Sequence, residues 1–154
     1  MNNLNQYIQE KLKISSKSKI NHYNYYPKTK YELKEIVDKL IKERGYNADL
    51  NDIDVSKIKD MSMLFTFSRS KFNGDISNWD VSNVENMLCM FTDSKFNGDI
   101  SKWDVSNVKN MFNMFSGSEF TGDISKWDVS NVVNMEYIFT SCPLQKNPPK
   151  WYHE

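Results

Sequence analysis

The sequence predicts a repeat solenoid built of short stacked β-strands, turns and single helical turns, preceded by an α-helical N-terminal cap. Three observations predict it. The string FNGDISNWDVSNVENMLCMF, residues 72–91, recurs from Phe96 and from Phe120, so that Trp79, Trp103 and Trp127 stand 24 residues apart. A fixed period of that length is the signature of stacked repeats. Each copy is punctuated by Gly-Asp and Asp-Val-Ser-Asn turn signals, and an amphipathic segment stands directly before the array.

Taken in order, the chain divides into a helical N-terminal region and cap (residues 1–48), a repeat solenoid of about four units (residues 49–144) and a C-terminal blunting segment (residues 145–154). Leu4, Tyr7, Ile8 and Leu12 are spaced by three and four, which predicts a short amphipathic helix over residues 3–13. The next stretch, SSKSKINHYNYYPKTK, is basic and rich in tyrosine. A second, clearer helix follows. Thr29 and Glu32 make a capping-box pair, Leu33, Ile36, Val37, Leu40 and Ile41 form one apolar stripe, and Gly45 supplies a left-handed stop. A helix in this position covers the first open edge of an array.

The array opens on a degenerate copy in which Leu50, Ile53, Val55, Ile58, Met61 and Phe65 align with Ile76, Trp79, Val81, Val84, Met87 and Phe91 at an offset of 26 residues. Within a fuller copy, residues 100–103 and 108–111 read as short extended pieces, and Met111, Met114 and Phe115 recur at the spacing of one helical turn. Trp151 stands 24 residues after Trp127, as if a further unit began. Pro148 and Pro149 occupy what would be its strand and cannot donate ladder hydrogen bonds.

The bulk numbers exclude several classes. Formal net charge is zero over 154 residues, against a surface wholly committed to nucleic acid or membrane. The balance is uneven, since residues 1–30 hold six lysines against one glutamate. No apolar run is long enough to span a membrane, and the N-terminus lacks the pattern of a secretory signal; the expected location is cytoplasmic. Cys89 and Cys142 fall in different columns of the repeat and are expected to be free thiols. The Asp columns (75, 99, 123 and 80, 104, 128) and the Asn column (86, 110, 134) have two readings, a calcium ladder or turn makers. The turn reading is favoured, because the copies lack the alternating ligands and closing glutamate of a calcium loop.

At this point the repeat F-N-G-D-I-S-x-W-D-V-S-N-V-x-N-M-x-x-M-F, quoted from residues 72–91, resembles that of the BspA-type leucine-rich-repeat surface-protein family, first catalogued in mycoplasma proteins of unknown function. The resemblance covers about residues 50–139. It implies a leucine-rich-repeat-like solenoid with a binding role and no catalytic centre. Members often carry an export signal and act in adhesion, and the missing signal here turns the expectation toward a bacterial or phage cytoplasmic protein.

No enzyme is predicted: His22 and His153 stand apart from any recognisable catalytic partners, two cysteines and two distant histidines cannot make a zinc site, and no cofactor is expected. For protein binding the informative positions are those that vary between copies. Leu88, Phe112, Val133 and Tyr137 are apolar where other copies tolerate polar residues, and with Lys102, Lys109 and Lys126 they are the candidate partner-binding patch. The alternative reading of the four is packing beneath loops. A nucleic-acid reading rests on Lys17, Lys19, Tyr23, Tyr25, Tyr26 and Lys28, cations for phosphates beside rings for bases; the competing reading is a basic linker whose tyrosines pack inward. The function expected is that of an interaction module for a protein partner, with inhibition of a host enzyme by a phage or mobile element as one version. Nucleic-acid binding and surface adhesion are the alternatives.

Overall fold

The computed structural model describes residues 22–153. The expected helix over residues 3–13, with Lys17 and Lys19, lies outside them. The second predicted helix is present as α1 (Lys30–Arg44). The Thr29 side chain accepts from the Glu32 N–H, and Gly45 ends the helix at φ 86° while its N–H reaches the Ile41 carbonyl. The Glu32 carboxylate accepts from the Lys28 N–H at 2.7 Å, closing the capping box one residue further back than usual.

The array itself requires a correction. Among the described residues there is no β-strand; besides α1 there are only two single-turn 3-10 segments, Phe67–Arg69 and Pro143–Gln145. The repeat units meet through isolated parallel bridges, Asp60 to Asn86, Asn86 to Asn110 and Asn110 to Asn134. The leucine-rich-repeat-like solenoid of stacked strands is therefore not what the chain forms. Nor do Met111, Met114 and Phe115 make a helical turn.

The physical reason is a pair of left-handed residues in each coil. Cys89, Asn113 and Tyr137 have φ of 53, 55 and 58°, and four residues on Asp93, Gly117 and Ser141 have 53, 67 and 56°. A strand or α-turn needs negative φ throughout, so the chain curls into successive turns. Hydrogen bonding then alternates. Met111, Asn113, Phe115 and Gly117 donate to the carbonyls of Asn134, Glu136, Ile138 and Thr140 in the next coil, at 2.7 to 3.1 Å. The residues between them turn inward, Met114 to the Met111 carbonyl and Ser116 to that of Asn113, each at 3.1 Å. Coil joins coil as strands join in a sheet, through backbone that is all turns.

Stacked aromatic columns fill the interior. Phe65, Phe91, Phe115 and Phe139 follow one another at centroid distances of 5.5, 5.5 and 6.1 Å. Phe72, Phe96 and Phe120 form a second column, each ring 4.6 Å from its neighbour in the first. All seven are at most 1 % exposed. The glycine of each Phe-x-Gly-Asp turn is required by this packing, since a Cβ on Gly98 would lie 2.8 Å from the Phe96 ring. The tryptophans clamp the units together. Indole N–H groups of Trp79, Trp103 and Trp127 donate to the carbonyls of Leu50, Ile76 and Ile100 at 2.9, 3.2 and 3.2 Å. Trp151 does the same to Ile124 at 2.8 Å, so the further unit does begin as its spacing predicts.

α1 lies over the first coil. Leu33, Val37 and Leu40 are fully buried in the same core as Leu50, Ile53 and Phe65. At its two ends Lys30 Nζ reaches Asp60 Oδ2 at 3.2 Å and Arg44 holds Asp52 Oδ2 at 2.9 Å, and near its middle Arg69 Nη1 meets Asp38 Oδ1 at 3.0 Å. Cys89 and Cys142 are both free.

The polar columns are turn makers. Asp75, Asp99 and Asp123 accept from the N–H two residues ahead at 2.9 Å, and Asp80, Asp104 and Asp128 do so at 3.0 to 3.1 Å. The side chains of Ser101, Ser106, Ser125 and Ser130 hold Asp99, Asp104, Asp123 and Asp128 below the ordinary carboxylate range, with the serine N–H adding to the effect. A depressed folded value means that the unfolded chain takes up protons first as pH falls. The stability these carboxylates contribute is therefore complete above the unfolded value of about 3.9 and is lost as pH drops below it. Melting temperature is expected to be flat from neutral pH to about 5 and to fall steeply between about 4 and 2; a melting curve that held its midpoint at acid pH would contradict this.

Candidate protein-binding face

The left-handed residues set the outward face of the array. Met63, Cys89, Asn113 and Tyr137 form one column with φ of 53 to 58°, and Phe67, Asp93, Gly117 and Ser141 form another. Flanking them are the columns Ser62, Leu88, Phe112, Glu136 and Lys59, Glu85, Lys109, Val133. Buried columns hold the same residue types copy after copy, whereas these four change.

Of the predicted patch, Val133 is 87 % exposed and Tyr137 59 %, while Leu88 and Phe112 are half-buried. Phe112 and Tyr137 meet edge to face at 5.7 Å, so packing and exposure are shared between them. Lys109 stands in the neighbouring column. Its Nζ lies 2.7 Å from Glu85, and Lys59 approaches the same carboxylate at 3.8 Å. The Lys109 hydrogen bond holds the Glu85 carboxyl below its ordinary value. Val133 replaces the next charge and ends this ladder at an apolar residue. Lys102 and Lys126 sit in a different turn, where their electrostatic neighbours are Asp99 and Asp123. The structure thus gathers Leu88, Phe112, Val133, Tyr137 and Lys109 in adjoining columns and places Lys102 and Lys126 outside them.

Two residues of this face escape a reading confined to the fuller copies. Met63 is 39 % exposed and Phe67 77 %, and with Cys89 and Asp93 they line a recess of about 270 Å³. Carrying the 26-residue offset through to the degenerate copy puts them opposite Cys89 and Asp93, which is the signal that finds them. Phe67 combines two unfavourable features, a solvated aromatic ring and a φ of 52°. A left-handed backbone costs a non-glycine residue about 1 to 2 kcal/mol, and such strain clusters at functional sites. Phe67→Gly is expected to raise stability by about 1 kcal/mol, read as a denaturation midpoint, while weakening partner binding.

The tyrosine-bearing segment is partly committed to the fold. Tyr25 bridges to Ile53, and its ring carries Lys39 Nζ at 5.5 Å and the Arg44 guanidinium at 5.9 Å. Tyr26 meets Tyr23 edge to face at 6.3 Å and donates to the Tyr23 carbonyl. Tyr26 and Lys28 are exposed. Among the described residues no three His, Cys, Asp or Glu side chains gather into a metal-sized cluster, and no helix is long and apolar enough to cross a membrane.

The sequence model of a family described as "Mycoplasma protein of unknown function, DUF285" matches residues 32–151. The chain belongs to this family. The matched span in this DUF285 chain starts inside α1 and ends on the last clamping tryptophan, so cap, coils and terminal clamp are encompassed by one family unit. No curated protein and no solved structure matches the chain.

Proposed function

We propose that this DUF285 chain is a non-catalytic module, of the BspA-like kind, that binds another protein through the face built by its variable columns. The observation that carries the reading is the exposure of Phe67, Val133 and Tyr137, each more than half open to solvent, in columns whose side chains the coils do not need for packing. Clustered exposed apolar surface of this sort marks interaction sites. Aromatic residues and methionine, enriched at interface cores, supply four of its members, Met63, Phe67, Phe112 and Tyr137. The Lys59, Glu85 and Lys109 ladder beside them gives a partner charges of both signs to register against.

The test is affinity capture from the native host with the full chain as bait, followed by mass spectrometry. One stoichiometric protein is the expected result. If that protein is a host enzyme and loses activity on binding, the inhibitor version holds; if it is a surface or matrix component, the adhesion version holds. Recovery of nucleic acid without a stoichiometric protein would overturn the reading in favour of the segment bearing Tyr26 and Lys28.

A further inference from the structure

The coil-to-coil hydrogen bonds have a direction, and they leave one end of the array open. Met87, Cys89, Phe91 and Asp93 donate to the coil after them, as do Met111, Asn113, Phe115 and Gly117. In the last coil the corresponding residues are Met135, Tyr137, Phe139 and Ser141. Ser141 is satisfied, its N–H reaching Gln145 Oε1 at 2.9 Å. The N–H groups of Met135, Tyr137 and Phe139 find no acceptor among the described residues. Two of these three, Met135 and Tyr137, line a groove of about 670 Å³ together with Val133, Glu136, Thr140 and Tyr152. Tyr152 forms its outer wall, held edge to face on Phe139 at 5.2 Å. Glu136 is exposed and has no ion pair among the described residues.

We infer that this groove binds an extended segment of another protein, whose backbone carbonyls at alternate residues accept the Met135 and Tyr137 N–H groups in the position a further coil would take. The inference rests on the protein-binding reading above and names its mode. Backbone groups at an open edge recruit backbone groups, and here the required acceptor pattern is fixed by the bonds that Met111 and Asn113 make one coil earlier. The side chains the groove selects are apolar over Val133 and Tyr137 and basic at Glu136. A second copy of the chain does not fit. Two such ends face to face would set donors against donors. The opposite end of a second copy is closed, because α1 covers the first coil, Arg69 Nε donates to the Leu64 carbonyl and Lys30 Nζ holds Ser62 Oγ.

The test uses the full chain, isotopically labelled, and a peptide selected on it from a random display library and then synthesised. In the free chain the Met135 and Tyr137 amides should exchange with solvent freely while those of Met111 and Asn113 are protected. The peptide should slow the first pair by at least about tenfold, the equivalent of about 1.4 kcal/mol. Thr140→Trp, which fills the groove, should weaken the peptide by about tenfold or more, and Glu136→Arg should remove the preference for a basic peptide even if the tryptophan disturbs folding. Phe112→Asp should leave peptide affinity unchanged. Failure to select any peptide, unchanged exchange at Met135 and Tyr137, or binding that survives both groove variants overturns the inference. If the protein captured from the host is lost with Phe112→Asp and kept with both groove variants, the binding face stands and the groove does not take part.

Discussion

Trp103→Ala is expected to lower the melting temperature by of order 10–20 °C, while Trp151→Ala lowers it by only a few degrees. Trp103 is 4 % exposed, stacks on Trp79 at 6.5 Å and lies 6.4 Å from Phe91. Truncating a buried tryptophan costs about 3 to 5 kcal/mol. Loss of its indole N–H leaves the Ile76 carbonyl without its buried donor, which adds about 1 kcal/mol or more. That total is a large part of the 5 to 15 kcal/mol that holds a typical domain. Position amplifies it, because a stack depends on nearest-neighbour interfaces and Trp103 lies in the interior of the row. Trp151 makes the same hydrogen bond but is partly exposed and has no coil beyond it. Thermal melts of both variants decide the matter: equal losses would mean that the tryptophans act locally and do not couple coils.

Phe112→Asp combined with Tyr137→Asp is expected to abolish capture of the protein partner, a loss of at least a hundredfold, about 2.7 kcal/mol, as befits two aromatic anchors in contact. The melting curve should move little. Tyr137 is 59 % exposed and occupies a left-handed position at φ 58°, a conformation aspartate adopts more readily than tyrosine does. Phe112 is half-buried, and the stability it gives up is chiefly its edge-to-face pairing with Tyr137, about 0.5 to 1.5 kcal/mol. A denaturation midpoint measured beside the binding assay separates the outcomes. Retained capture removes these residues from the interface, and gross unfolding makes them core.

The parts of the fold that recur letter for letter were open to reading from the sequence. Trp79, Trp103 and Trp127 announced a column, Trp151 extended it, and Thr29, Leu33, Val37 and Gly45 wrote α1 in ordinary capping and periodicity. The aspartates declared themselves as turn makers through the serines two residues beyond them. The backbone of the coils did not, for a physical reason. Residues that send alternate N–H groups to a neighbour look like strand in any pattern of alternation, yet here they also pass through left-handed φ at Cys89, Asn113 and Tyr137. Only asparagine among those three types favours that region, so the coil-to-coil hydrogen bonds impose it and local preference does not. The candidate face was half legible. Leu88, Phe112, Val133 and Tyr137 stood out by comparing three copies, whereas Met63 and Phe67 lay behind the shifted register of the degenerate one. Lys102 and Lys126 were placed near the patch by charge alone, and the turn they occupy belongs to Asp99 and Asp123.

The most direct test of the central claim, that the variable columns are where another protein binds, is a hydrogen-exchange footprint of the captured complex. Protection on binding should appear over Met63, Phe67, Leu88, Phe112 and Tyr137 and leave Tyr23 to Lys28 unchanged. Protection confined to the Tyr23 to Lys28 segment, with the columns exchanging as in the free chain, would contradict it.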